Sequence, residues 1–180
     1  MHIMRAGGLL LIFSGLVFAK NPTSIDRIFS DADFRPTVPS RAAIESVYGK
    51  GKDGLKDGSI VSFYRIGNDR QMRVLYSDGT KINTTFATEV TVCKCKFVDE
   101  APDATTPVLT NALLSRRIGD SSRSLERNND GYRYVKRTER IGLKNFLVYE
   151  TNPVSGETDL YVQYWTFAGR IVGLTIGVTE

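Results

Sequence analysis

Histidine is nearly absent from this chain of 180 residues, which contains a single one, His2. It falls within residues 1–19, where Arg5 precedes a short apolar run and small residues end at Ala19. This pattern predicts a signal peptide that is cleaved after Ala19, so the mature chain begins at Lys20 and has no histidine. Catalysis by Ser-His-Asp or Cys-His groups is then excluded. Zinc sites with histidine ligands and iron sites with two histidines and a carboxylate are excluded as well.

Long apolar runs and marked catalytic spacings are also missing. After residue 19 no apolar run is long enough to cross a bilayer as a helix, and no cysteine near Ala19 offers a lipid anchor. We therefore expect a periplasmic or secreted protein. The loop at 50–58 lacks the Lys-Ser or Lys-Thr step of a phosphate-binding loop. No carboxylate or lysine spacing marks a catalytic site, so we predict no enzyme, no cofactor, no metal site and no small-molecule substrate.

Cysteine is scarce too, and the two that exist, Cys93 and Cys95, are separated by one lysine. Three interpretations stay open: a direct bond, a thiolate pair that binds copper(I) or zinc, and a structural or partner-facing thiol pair. The third is favoured, because a direct bond closes a very small, strained ring and zinc usually takes four ligands. Both cysteines are candidate redox residues, and because free thiols are unusual in an oxidising compartment, a bridge between two chains is the minority alternative.

The clearest strand pattern lies at residues 160–178, where apolar residues alternate with period two. A three-residue loop at 167–169, ending on Gly169 in the left-handed region, pairs Tyr164 with Val172. That register collects one apolar set on one face, and a slip of one residue destroys it. We therefore predict a hairpin with one buried face.

Two short helices are predicted ahead of the strands. Ser40 caps the first helix and Gly49 ends it, while Thr106 caps a second helix that Gly119 ends. These elements predict an α+β fold of two similar halves, each a short helix followed by an antiparallel sheet of about four strands, with the helices packed on one sheet face. The predicted divisions are a signal peptide at 1–19, a polar lead-in at 20–39, a first half at 40–105 and a second half at 106–180.

The two predicted halves contain an internal sequence repeat. The segment 44–49 (IESVYG) is matched by 114–119, and a hairpin turns at Gly79 in the first half and at Gly169 in the second. A glycine-ended helix, a polar loop and an antiparallel sheet, given twice, resembles the tandem-repeat β-lactamase inhibitor proteins. The layout is also similar to the small domain of the lipoprotein in the outer-membrane β-barrel assembly machinery. This resemblance implies an interaction module whose sheet face meets another protein, and it transfers no inhibitory residue.

The leading functional prediction is an exported, non-catalytic module that binds a protein in the cell envelope or outside the cell, and no nucleic acid. Tyrosine, tryptophan and arginine are the residue types that anchor protein interfaces. Burial beneath the helices is the alternative for each aromatic residue. The predicted partner-binding residues are Tyr161, Trp165, Tyr149, Tyr132, Tyr134, Arg133 and Arg137.

A second functional prediction rests on charge. Residues 116–144 contain nine basic and four acidic residues, a net charge of +5. Such a stretch suits an envelope protein that binds anionic lipid or a polyanion at a membrane surface, and the plain alternative is a solvated basic face. Binding through charge weakens with salt, whereas binding through an aromatic face does not.

Overall fold

The computed structural model describes residues 23–24, 39–77, 86–106, 108–109, 116–127, 132–151 and 160–178. The described helices are α1 (Arg41–Tyr48) and α2 (Arg123–Glu126). The described strands are β1 (Thr23–Ser24), β2 (Lys52–Lys56), β3 (Ser59–Ile66), β4 (Arg70–Tyr76), β5 (Ala87–Cys93), β6 (Val108–Leu109), β7 (Val135–Ile141), β8 (Lys144–Thr151), β9 (Leu160–Phe167) and β10 (Arg170–Val178). Among these residues, no helix is both long and apolar enough to cross a membrane.

Eight strands form one continuous antiparallel sheet in the order β2-β3-β4-β5-β10-β9-β8-β7. Two runs of four consecutive strands meet where β5 pairs with β10, while β1 and β6 form a separate parallel pair. The predicted α+β fold of two helix-covered halves is therefore wrong. The described chain is mostly sheet, and its two helices have only 8 and 4 residues.

The first helix is confirmed with both of its caps. Ser40 Oγ accepts a hydrogen bond from the Ala43 backbone N–H at 3.2 Å, and Gly49 ends the helix with a φ of +83°. Ile44 and Tyr48 lie on the buried side of α1 and pack on the sheet. Local cap chemistry and a short apolar stripe were enough to predict this element.

The start of the second predicted helix is wrong, because Val108–Leu109 is strand β6. Thr106 is not its N-cap: its Oγ1 donates to the Val47 carbonyl oxygen at 2.7 Å. Thr105 donates to the same oxygen from Oγ1 at 3.0 Å, and to the Tyr48 oxygen from its backbone N–H. The two threonines thus satisfy carbonyls at the end of α1 that have no partner within the helix. Residues 116–119, at the predicted end of this helix, are not helical, and residues 110–115 lie outside the described residues.

The C-terminal hairpin has a different register from the predicted one, and Val172 lies on the opposite face from Tyr164. Residues 168–169 form a two-residue turn in which both φ angles are positive, and Tyr164 lies opposite Leu174 rather than Val172. A β-bulge at Val172 supplies the extra residue that the sequence argument placed in the loop. Tyr164 and Leu174 therefore share one buried face, and Val172 packs elsewhere. The earlier hairpin, predicted to turn at Gly79, lies outside the described residues.

The sheet has two chemically different faces. The helix face, which α1 and α2 cover, is apolar. Its buried sheet residues include Tyr64, Met72, Val74, Val90, Val92, Tyr149, Val162, Tyr164, Leu174 and Ile176. Ile44 and Tyr48 of α1 and Leu125 of α2 pack against them. The inner face carries polar and aromatic side chains instead. Its buried members include Arg73, Glu89, Thr91, Gln163, Trp165 and Thr175.

The sheet curls around the inner face. In a flat sheet, seven strand spacings of about 4.8 Å would hold the edge strands β2 and β7 about 34 Å apart. Lys56 of β2 instead donates to Glu139 Oε1 of β7 at 3.2 Å. Arg73 of β4 also lies 3.6 Å from Glu139, although four strands separate β4 from β7 in the sheet order. Curling, and not a second helix layer, removes the inner face from water.

Glycine in β10 makes room for this interior. A Cβ atom at Gly177 would lie 2.5 Å from Tyr161 Oη, and one at Gly173 would lie 3.1 Å from Cys93 Sγ. Both glycines leave space for side chains that lean across β10 on the concave side. The small residues are therefore part of the packing of the inner face.

Gly177→Ala is expected to destabilise the fold by about 1–3 kcal/mol, because the added methyl overpacks the Tyr161 ring. Urea unfolding measures this loss. Combining it with Tyr161→Leu removes the ring that clashes, so the double variant should lose less than the sum of the single variants. Strict additivity would contradict the packing described here.

Candidate functional site

A buried ion pair lies at the centre of the inner face. Arg73 Nη2 donates to Glu89 Oε1 at 2.7 Å, and the two side chains are 5% and 6% exposed. Glu89 also accepts hydrogen bonds from Tyr161 Oη at 2.9 Å and from Thr91 Oγ1 at 3.1 Å. A buried charge that loses its partner is strongly destabilising, so these contacts keep the carboxylate in place.

Aromatic rings enclose the arginine of this pair. The Arg73 guanidinium lies 4.9 Å from the Phe97 ring centroid and 5.4 Å from that of Trp165, within cation–π range. Trp165 Nε1 donates to Thr175 Oγ1 at 2.8 Å, and the tryptophan is 0% exposed. Trp165, which the sequence predicted as a partner-binding residue, is thus buried inside the curled sheet.

Ion pairs from the edge strands close the inner face. Arg137 lies 3.3 Å from Glu150 and 3.5 Å from Glu139, and Gln163 Nε2 donates to Glu150 at 2.9 Å. The predicted partner-binding residues Tyr161 and Arg137 thus both contact carboxylates of this interior. The inner face is filled by its own side chains, and we interpret it as a structural network.

The protonation states fit this network. Burial raises the pKa of Glu89, but the attraction of Arg73 and Lys56 and the hydrogen bonds from Arg73 and Tyr161 outweigh burial, so the pKa lies below its ordinary value. Burial and the neighbouring Glu89 carboxylate raise the pKa of Tyr161. Glu89 is therefore an acceptor and Tyr161 a donor at neutral pH.

The remaining predicted tyrosines lie on the other side of the sheet or beside it. Tyr149 is 1% exposed on the helix face, and its Oη donates to Glu126 Oε1 at 2.9 Å. Burial, then the bond to Glu126, raises the pKa of Tyr149 to about 12. Tyr134 packs edge-on against the Tyr149 ring, and Tyr132 is half-buried. Arg133 is exposed, so the predicted set does not form one surface.

A different surface combines exposed cations. We define the basic end as the side chains of Arg117, Arg140, Lys144 and Arg170, all exposed. Arg140 and Lys144 flank the β7–β8 turn, and Arg170 begins β10. Within the part of the chain that the structure describes, none of the four forms an ion pair. Arg117 joins them because the segment that follows it bonds to the start of β10, through Gly119 N–H to the Ile171 oxygen.

An apolar tip projects from the basic end. Leu143 in the β7–β8 turn is 93% exposed, and Phe167 beside the β9–β10 turn is 42% exposed. Leu147 pairs with Thr166, which sets the start of β8 level with the β9–β10 turn. Leu143 therefore lies beyond both strand ends, and the Lys144 ammonium lies 5.5 Å from the Phe167 ring centroid.

A groove of about 370 Å³ opens beside the basic end, where β3, β4 and β5 terminate. Five cationic and two acidic side chains line it, a net charge of +3. Cys95 also lines this groove and is joined to Cys93 by a disulfide bond. The direct bond, one of the three alternatives from the sequence, thus replaces the favoured free thiol pair. The groove lining is Arg65, Asn68, Asp69, Arg70, Gln71, Lys94, Cys95, Lys96, Asp99 and Lys144.

Two residues at the basic end and its apolar tip, Arg170 and Leu143, are not predicted from the sequence. Arg117, Arg140 and Lys144 were counted in the +5 stretch, but Arg170 and Leu143 were not singled out. The available signal was Gly142-Leu143-Lys144 at a turn, since an apolar residue at an exposed loop tip is unusual there. Counting charge along the chain did not separate Arg137, which pairs with Glu139 and Glu150, from Arg140, which forms no such pair.

No known family, no characterised protein and no solved structure matches this chain. The resemblance to the β-lactamase inhibitor proteins and to the assembly lipoprotein therefore stays a prediction, as does the internal repeat.

Glu89→Gln is expected to destabilise the protein by about 3–5 kcal/mol at pH 7, because it leaves the buried Arg73 charge without its partner. The pKa of Glu89 in the folded protein lies below its ordinary value of 4.5. The stabilisation that the ionised carboxylate gives the fold is therefore complete above pH 4.5. It is lost as pH falls through the pKa of the folded protein. Urea unfolding between pH 3 and 7 measures both effects.

Below about pH 4.5, the stability of Glu89→Gln should decrease less steeply with falling pH than that of the wild type. Glu100→Gln removes an exposed carboxylate instead and serves as the matched control, with a change within about 0.5 kcal/mol. A Glu89→Gln chain that keeps the full wild-type pH dependence would contradict the role of this ion pair.

Proposed function

We propose that the protein is an exported, non-catalytic binding protein that attaches to an anionic surface of the cell envelope through its basic end. The observation that carries this proposal is a set of four exposed cations at one end of the sheet, Arg117, Arg140, Lys144 and Arg170, without ion pairs among the described residues. Export follows from the predicted signal peptide at 1–19. A surface that displays phosphates or carboxylates supplies the missing counter-charges.

One acid, Asp120, lies at the basic end and accepts a hydrogen bond from the Arg117 backbone N–H, while three further acids nearby pair with other cations. Asp69 pairs with Lys94 at 2.8 Å, Asp99 pairs with Lys96 at 2.8 Å, and Asp103 forms two bonds to Arg65. These three carboxylates thus pair with cations that are not members of the basic end. Exposed charges of one sign act together on an approaching polyanion, and salt screens the attraction over about 10 Å at 0.1 M.

Leu143 favours lipid as the source of the negative charge. A membrane-surface site combines an apolar group that enters the headgroup boundary with basic side chains that remain at the phosphates. Leu143 lies between Arg140 and Lys144 in this arrangement, and the long cationic side chains can stay in the polar layer while the leucine enters. A soluble polyanion offers no layer for an exposed leucine.

The aromatic face that the sequence favoured for a protein partner has less support. Trp165 and Tyr149 are buried on opposite faces, and Tyr161 is bonded to Glu89. Aromatic anchors of an interface must be reachable by the partner. The inner and helix faces are both covered, so the accessible basic end is the better candidate surface.

Arg140→Gln with Lys144→Gln is expected to weaken binding to vesicles containing anionic phosphatidylglycerol by about 30-fold, from about 1 kcal/mol for each cation near the surface. Co-sedimentation at 50 mM salt measures the partition constant. Arg133→Gln with Lys136→Gln removes the same charge near the opposite end of β7 and should change the partition constant less than threefold. Wild-type binding should fall as salt is raised, and salt-insensitive binding would contradict the proposal.

Leu143→Ser is expected to weaken vesicle binding by about tenfold, because a partly inserted leucine contributes about 1–2 kcal/mol. Val135 at the start of β7, the opposite end from Arg140, is 72% exposed, so Val135→Ser is the matched control. Binding to immobilised polyphosphate separates the two anion sources. If Leu143→Ser leaves vesicle binding intact while the charge variant loses polyphosphate binding, the surface is a polyanion and not lipid.

A further inference from the structure

The disulfide between Cys93 and Cys95 joins two cysteines in different surroundings. Cys93, the last residue of β5, is 0% exposed, whereas Cys95 is half-buried and lines the groove. One sulfur is thus open to a reactant from the groove, while the other is shielded by the sheet. Thiol–disulfide exchange requires such access to the sulfur under attack.

The charge of the groove suits a thiolate. Lys94 and Lys96 flank Cys95 in sequence, and Arg70 and Lys144 line the same groove. Neighbouring cations lower the pKa of a thiol and stabilise the thiolate that exchange consumes and releases. They also attract an incoming thiolate, which carries a negative charge of its own. Asp69 and Asp99 pair with Lys94 and Lys96 at 2.8 Å each, and the lining as a whole keeps a net charge of +3.

The bond contributes little to holding the loop in place. Lys94 N–H donates to the Val172 oxygen at 2.7 Å, and Gln71 Oε1 accepts from the Phe97 and Val98 N–H groups at 2.7 and 3.1 Å. Gln71 Nε2 in turn donates to the Val98 oxygen at 2.8 Å. A disulfide stabilises mainly by restricting the unfolded chain, and a loop of three residues is at the short end of that effect. We therefore expect the dithiol form to keep the same loop.

We propose that Cys93–Cys95 is a redox-active disulfide that exchanges with a polypeptide carrying two thiols, with Cys95 as the sulfur that is attacked. This proposal does not rest on the proposed attachment to an anionic surface. It assigns chemistry to a bond that is accessible, surrounded by positive charge and dispensable for the fold.

The exchange balances in two steps. A substrate thiolate attacks Cys95 Sγ, the Cys93–Cys95 bond breaks, and Cys93 leaves as a thiolate that takes up the proton given up by the second substrate thiol. The second substrate thiol, deprotonated, then attacks the substrate sulfur of the mixed disulfide and releases Cys95 as a thiolate. The substrate dithiol is oxidised to a disulfide by two electrons, and the protein disulfide is reduced to a dithiol. A low-molecular-weight disulfide such as oxidised glutathione restores the starting bond.

The first test uses the full mature chain and a synthetic peptide with two reduced cysteines. We expect one peptide disulfide to form per protein chain, and alkylation with mass spectrometry measures it. When oxidised glutathione is added, the protein should turn over catalytically. The circular dichroism of the reduced protein should match that of the oxidised protein. A native disulfide that resists millimolar glutathione, while the same chain is reduced in urea, would overturn the proposal.

The second test assigns the roles of the two sulfurs. In Cys93→Ser, Cys95 should react with iodoacetamide at pH 7 at least tenfold faster than Cys93 does in Cys95→Ser. Lys94→Gln with Lys96→Gln in the Cys93→Ser background should slow that reaction by about fivefold and move its pH midpoint upward, because the thiolate loses its cations. Arg133→Gln with Lys136→Gln removes equal charge near the start of β7, outside the groove lining, and should leave the pH midpoint unchanged. Equal reactivity of the two cysteines would refute the assignment of Cys95.

Discussion

The Arg73–Glu89 ion pair is the contact on which the inner face of the sheet depends. A sheet with helices on one face ordinarily leaves the other face in water, and polar residues there need no partners. Here the curl of eight strands covers that second face as well, so each charge on it must be matched. Glu89 is held by a β4 arginine and a β9 tyrosine at once, which fixes three strands relative to one another. Such a pair adds little net stability when intact and costs much when broken, so its value here lies in specifying one arrangement.

The edges of the sheet follow from the same constraint. An open antiparallel sheet exposes unpaired backbone groups on its outer strands, and charged side chains on those strands oppose pairing with other chains. β7 is mostly exposed along its length, and its Glu139 meets Lys56 of β2 across the concave side. Part of the basic stretch at 116–144 is therefore structural. Arg137 belongs to the interior network, while Arg140, three residues further along the same strand, belongs to the accessible end.

Local chemistry predicted the local elements of this fold. Ser40 and Gly49 define α1 because caps act within one helical turn, and the alternation in 160–178 assigned Tyr164 and Leu174 to one face because the strand period is two. The differences from the predictions have non-local causes. Thr106 was predicted to begin a helix, but it bonds to carbonyls of a helix that ends nearly 60 residues earlier in the chain. Trp165 was predicted to face a partner, since alternation shows which residues share a face and carries no information on what covers it. The bulge at Val172 shifted the register without changing the alternation pattern, so the sequence could not distinguish it from a longer loop.

Covering both faces restricts where this protein can meet other molecules. Among the described residues, most side chains of the helix face and the inner face are used in packing, which leaves the strand ends and their turns as accessible sites. One such end combines four cations without described ion pairs, an exposed leucine and a half-buried sulfur. Lys144 contributes to two of these features, because it flanks Leu143 in the turn and also lines the groove that contains Cys95. An anion bound at the basic end would offset part of the positive charge that Cys95 experiences. Attachment to an anionic surface and thiol exchange would then be coupled through one ammonium group, and the coupling would weaken as salt screens both interactions.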